Sequence, residues 1–150
     1  MHHFPMKKYE YLPHTADAEF RAYGKTMEEA FINAALAMAN LTYDTKIIKP
    51  LMQKEIHVNG DTFQELVLHF LDEFIFLQDT EGFLLHDVVT LKITKGIPIK
   101  QIPIKLIALV QCDHYKKYEM HGQLVKAATY NEMLIEQKKD QCMIQIVVDI

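Results

Sequence analysis

Tryptophan is absent from the 150 residues, and cysteine, glycine and proline are scarce at two, five and five. Each scarcity excludes something. Two cysteines, Cys112 and Cys142, make no disulfide framework and no metal-ligand spacing, so both are expected to be reduced core or strand residues. A cytoplasmic location is the expectation that goes with them. Five glycines and five prolines leave no linker, internal repeat or low-complexity tract. No apolar run reaches the roughly 18 residues of a membrane-spanning helix. The opening Met1-His2-His3-Phe4-Pro5 lacks the apolar core of a signal peptide. A Gly-rich phosphate loop, a nucleophile elbow and a Cys/His nucleophile pairing are all missing, so a catalytic reading has little to stand on.

Clustered positive charge is missing as well. Formal net charge is −4; residues 1–75 carry seven Lys/Arg against eleven Asp/Glu, and residues 76–150 carry nine against nine. The pairs Lys7-Lys8, Lys116-Lys117 and Lys138-Lys139 read as solvated ends and turns. Strong direct binding to a nucleic-acid backbone therefore lacks its electrostatic footprint.

What is present is the composition of a globular protein, 49% apolar and 24% charged, in a length suited to one domain spanning residues 1–150. Tyr9 to Leu12 is a short apolar run halted by Pro13. Ala18, Phe20 and Ala22 alternate with Glu19, Arg21 and Tyr23, which predicts a half-buried strand ending at Gly24. Thr26-Met27-Glu28-Glu29 is a capping box in which Glu29 would reach back to the Thr26 amide, opening a helix from about Met27 to Leu41. Ile47 to Val58 reads as extended, with a turn at Asn59-Gly60. Asp61 is the expected N-cap of a second helix whose apolar face runs Phe63, Leu66, Val67, Phe70, Leu71, Phe74 and Leu77, with Gly82 as its stop. Strand-like segments follow at Phe83 to Ile93, Ile102 to Cys112, about Gly122 to Gln137, and Cys142 to Ile150. The order β-α-β-α-β-β-β-β predicts an α+β fold of two layers, a mostly antiparallel sheet with both helices on one face.

The last segment carries the best clue to chemistry. Ile144, Ile146, Val148 and Ile150 share one face of a strand, and Met143, Gln145, Val147 and Asp149 share the other. A strand of this quality holds its end in place, so the Asp149 carboxylate and the main-chain carboxylate of Ile150 would repel unless a cation or several donors sit between them. Pro13-His14-Thr15-Ala16-Asp17 is the sharpest local motif. Its Thr15 and Asp17 would either satisfy amides in a bend or bring Asp17 to the Asp149–Ile150 carboxylates to complete a site for a hard divalent ion such as Ca²⁺ or Mg²⁺. His14 would orient the loop, and as a ligand it would point to a softer metal. His57, His69, His86, His114 and His121 are scattered without ligand spacing, and His69 is expected to pack on its helix. Asp72-Glu73 is expected to form the solvated edge of the second helix, with acid–base work as the other reading.

Several of these segments together resemble the archease family over nearly the whole chain. The pieces are Tyr9-Glu10-Tyr11-Leu12-Pro13-His14-Thr15-Ala16-Asp17, Ala22-Tyr23-Gly24-Lys25-Thr26 leading into Glu28-Glu29-Ala30-Phe31, Phe70-Leu71-Asp72-Glu73, Lys126-Ala127-Ala128-Thr129-Tyr130, and Val147-Val148-Asp149-Ile150. Two departures are small: Asn131 stands where the family commonly has histidine, and Ala127-Ala128 replace Ala-Val. The resemblance implies a non-catalytic accessory protein of the RtcB-type RNA-splicing ligase, which joins tRNA halves using GTP. The accessory protein promotes guanylylation of the ligase histidine and repeated turnover. It also implies a bound cation, often assigned as calcium, held by Asp17, Asp149 and the main-chain oxygens of Ile150. Two other readings stand beside it: a metal-dependent hydrolase of nucleotides or phosphoesters using Asp17, Asp72 and Glu73, and a chaperone-like binder of RNA-processing proteins.

Overall fold

Alternation in the last segment has its cause in where that strand lies. The structure is a computed structural model that describes residues 7–150, so the expectation about Met1 to Pro5 lies outside the described residues. Eight strands and two helices follow in order: β1 Tyr9–Leu12, β2 Ala18–Gly24, α1 Met27–Thr42, β3 Met52–Gly60, α2 Phe63–Glu81, β4 Phe83–Thr94, β5 Ile104–His114, β6 Ala127–Ala128, β7 Leu134–Lys138 and β8 Gln141–Asp149. β8 lies inside a sheet of order β1-β2-β8-β6, in which β7 also pairs with β8. With neighbours on both sides, it buries six of its residues, including Met143 and Val147 on its second face.

The fold is α+β and every ladder is antiparallel. Its strands divide between two sheets where one was expected, the second being β3-β5-β4. α1 packs mainly on β2, β4 and β8, and α2 on β3, β4, β5 and β6, so the helical layer joins the sheets. One apolar cluster runs through both, with Phe20, Ile144 and Ile146 meeting Phe31 and Phe70, and Leu84 and Leu106 below. No helix among the described residues is long and apolar enough to cross a membrane.

Both helices begin with the same device. Thr26 and Thr62 accept the amides of Glu29 and Glu65 at 3.1 Å, while those glutamates reach back to the Lys25 and Asp61 amides at 3.4 Å. The N-cap of α2 is therefore Thr62 and not Asp61, because Thr62 has the extended backbone and stands three residues before Glu65. The Glu29 carboxylate likewise reaches the Lys25 amide, one residue before the one expected. Gly82 ends α2 at φ 67°, and a Cβ there would come within 2.6 Å of the His114 ring.

Two strand readings change. Residues 122–137, read as one strand, hold only β6 and the start of β7, joined by a turn with Glu132 at φ 54°. A further strand, β1, precedes β2, and the bend at residues 13–17 separates them.

Candidate functional site at one end of the first sheet

The ladder between β2 and β8 closes at Ala18↔Val148. Asp17 and Asp149 are the next residues on either side, so both stand just past the same end of the same strand pair. Ala16 turns the chain before Asp17 with φ 67°, a left-handed geometry that its single methyl tolerates better than a larger side chain would. On the far side of β8, Ala127 pairs with Asp149, and the Lys126 amide donates to the Asp149 carbonyl at 2.8 Å. Asp72 of α2 accepts the Ala128 amide at 3.0 Å, tying the helix to β6 at this same end. Asp72 is thus half-buried and bonded, where a solvated edge was expected.

Asp149 is exposed, Asp17 half-buried, and Ile150 packs part of its side chain on the core. Among the described residues, neither the Asp17 nor the Asp149 side chain has a hydrogen-bond or ion-pair partner. Asp17 and Asp149 thus stand at neighbouring backbone positions at one sheet end, with Ile150 next in the chain. Beside them, a cleft of about 370 Å³ is lined by Val58, Asn59, His69, Asp72, Glu73 and Phe76. His69 borders it exposed, one ring nitrogen 2.6 Å from the Asn59 carbonyl.

A tighter set of side chains lies next to this pole and does not include Asp17 or Asp149. One ligand atom each from His14, Glu19 and Glu132 falls within 4.8 Å of the others. His14 Nε2 is 3.0 Å from Glu132 Oε2, while His14 Nδ1 is enclosed and lacks a hydrogen-bond partner. Glu19 is only 8% exposed. Burial pushes its carboxyl up, and the Glu132 carboxylate beside it pushes the same way. The Glu132 carboxylate also raises the His14 imidazole above its ordinary value. Gln145 organises the surroundings: its Oε1 accepts from Arg21 Nε at 2.9 Å, and its Nε2 donates to the Glu132 carbonyl at 2.9 Å.

Sequence reading singled out His14 but missed both glutamates. Glu19 could have been found, since it stands two residues after Asp17 and alternates with the apolar residues of β2. Glu132 lies 118 residues from His14 and is delivered by a turn that no local pattern announces.

Comparison with known proteins was informative over almost the full length. Residues 9–150 match the profile of the Archease protein family (MTH1598/TM1083). The chain is 40% identical over 146 residues to a protein of Pyrobaculum neutrophilum named "Protein archease", covering 95% of each. A protein of the same name from Methanosarcina barkeri is 36% identical over 146 residues, covering 96% of this chain and 97% of that one. Among solved structures, protein 1598 of Methanobacterium thermoautotrophicum superimposes with a TM-score of 0.80 at 28% identity, over 97% of this chain and all of that one. A Thermotoga maritima protein described as an archease and possible chaperone shares the fold, with a TM-score of 0.59 at 17% identity over the whole of both chains.

Proposed function

The chain belongs to the archease family, and from that premise we propose that it is a non-catalytic activator of an RtcB-type RNA-splicing ligase. It promotes GTP-dependent guanylylation of the ligase and multiple turnover in tRNA splicing, acting in the cytoplasm. A divalent cation, Ca²⁺ by preference and Mg²⁺ or Mn²⁺ otherwise, is held by Asp17, Asp149 and Ile150. The observation that supports the cation is the shared strand end at Ala18↔Val148, which sets Asp17 and Asp149 at neighbouring positions, neither side chain with a partner among the described residues. The ion supplies positive charge at an exposed acidic pole. Asp72 keeps β6 in place beneath it, and the Lys126 amide fixes the Asp149 main chain.

Purified chain, ligase, GTP and Mn²⁺ test this reading. Added chain should raise both the guanylylated fraction of the ligase and the number of joining events per ligase, and a flat response ends it. Asp17→Asn and Asp149→Asn should each weaken Ca²⁺ binding by about tenfold or more, since each removes one charged oxygen ligand. Melting of the metal-free protein should stay within about 2 °C, because neither side chain fills core volume.

A chaperone-like role has one observation in its favour besides the Thermotoga description. The tip between β4 and β5 exposes Ile97, Ile99 and Ile102, and Ile99 is 93% exposed. Suppression of aggregation that disappears in Ile99→Ser would favour that reading.

A further inference from the structure

We propose that His14, Glu19 and Glu132 form a second cation site, one that takes a divalent first-row transition ion and is separate from the pole at Asp17 and Asp149. The site goes beyond the ligase-activator reading and stands or falls apart from it.

Geometry comes first. Three ligand atoms from three separate segments (the bend before β2, β2 itself, and the turn before β7) lie within 4.8 Å of one another. The 3.0 Å between His14 Nε2 and Glu132 Oε2 is close to the edge separating neighbouring ligands on an octahedral ion with bonds of about 2.1 Å.

Charge comes second. Glu19 is more than nine-tenths buried and faces another carboxylate. Its side chain is hydrogen-bonded to the Glu132 carboxyl, an arrangement in which two acids share one proton. His14 and then Arg21 are the positive groups that act on it, and the Arg21 Nε is committed to Gln145 Oε1. Two carboxylates in such a place are costly together unless a cation joins them.

The imidazole is the third and independent pointer. While Nε2–H donates to Glu132, Nδ1 keeps a lone pair enclosed from water with nothing bonded to it. Binding of an ion at Nε2 moves the ring proton to Nδ1, the enclosed nitrogen that has no other partner. A ligating histidine commonly carries its proton on the nitrogen away from the ion. The framework is already braced: Gln145 holds the Glu132 turn through its carbonyl and keeps Arg21 occupied.

Ligand chemistry sets the ion class. One imidazole with two carboxylates suits Zn²⁺, Co²⁺ or Fe²⁺ better than Ca²⁺ or Mg²⁺, which take oxygen almost exclusively. Three protein ligands leave a coordination position for water.

Co²⁺ is the probe, because it stands in for Zn²⁺ and absorbs in the visible. It is titrated into the full chain in excess Ca²⁺, which occupies the oxygen-rich pole. The expected result is one Co²⁺ per chain, bound about tenfold or more weaker in Glu132→Gln and in His14→Asn, and within about twofold of the parent in Asp149→Asn. Glu132 is exposed and on a turn, so its variant keeps the fold, checked by unchanged circular dichroism. Absence of Co²⁺ binding in excess Ca²⁺ overturns the proposal. Binding that survives both Glu132→Gln and His14→Asn overturns it too, since the ion then sits on other histidines. Equal loss in Asp149→Asn overturns the claim of a separate site. Ligase stimulation plays no part in the readout.

Discussion

Glu19 and Asp113 are both nearly wholly buried carboxylates, one in each sheet, and their surroundings push them in opposite directions. Asp113, at 1% exposure near the end of β5, accepts Tyr118 Oη at 2.7 Å, the His114 amide at 2.8 Å and Lys117 Nζ at 3.0 Å. These donors, the Tyr118 hydroxyl first, hold its carboxyl at about 2, below the usual range. The Tyr118 hydroxyl in turn accepts the Lys49 amide at 3.0 Å, so the ionised Asp113 braces the loop before β3. Glu19 meets burial and a second carboxylate instead, and is pushed up. Burial is common to both. Donors decide whether a buried acid is a finished structural element or a group still open to a partner.

Stability should separate the two most sharply. Asp113→Ala removes three hydrogen bonds to a buried acid and should lower the melting temperature by on the order of 5–10 °C. Glu19→Gln in metal-free buffer removes a like-charge contact and should move it by about 2 °C or less, in either direction. Differential scanning calorimetry on both variants checks this, and a reversed order would break the contrast.

Acid unfolding sharpens it. A carboxyl held below its unfolded value contributes stability that is fully present above roughly pH 4, and this stability is lost as the pH falls through about 2. Tyr118→Phe removes the largest lowering influence and should raise the midpoint of acid unfolding by about half a pH unit or more, with Lys117→Met giving a smaller rise. Circular dichroism against pH reads both, and a Tyr118→Phe midpoint at or below the parent would contradict the assignment.

The smallest effect belongs to Gln145. Gln145→Leu deletes the bonds to Arg21 and the Glu132 carbonyl and should cost about 1 kcal/mol in urea unfolding. Amide exchange should quicken in residues 130–133, while the Asp113 corner keeps its protection. Equal quickening at both places would mean the two regions are not independent.

Much of this fold was legible in the chain. Both helices, the Gly82 stop and the terminal strand follow from apolar spacing of 3.6 or 2 and from caps, which are local signals. The exchange of Asp61 for Thr62 at the start of α2 is a miss of one residue between two good capping types. Residues 122–137 were harder, because isolated apolar residues there fit a strand as well as a turn packed on a neighbouring strand. Lys117 is exposed, as read, and is also the partner of a buried acid, while nothing in its sequence neighbourhood reveals Asp113 as buried.

By itself the sequence determined both helices, the terminal strand and the family, since helix caps, strand period and short motifs act over a few residues. The tertiary structure alone decided the division into two sheets, the covering of Glu19, and the meeting of His14 with Glu132. Those depend on which strands pair and how a distant turn lies over them, and pairing energy comes from contacts between segments far apart in the chain. The same side-chain types therefore became a neutralised corner at Asp113 and an open cluster at Glu19.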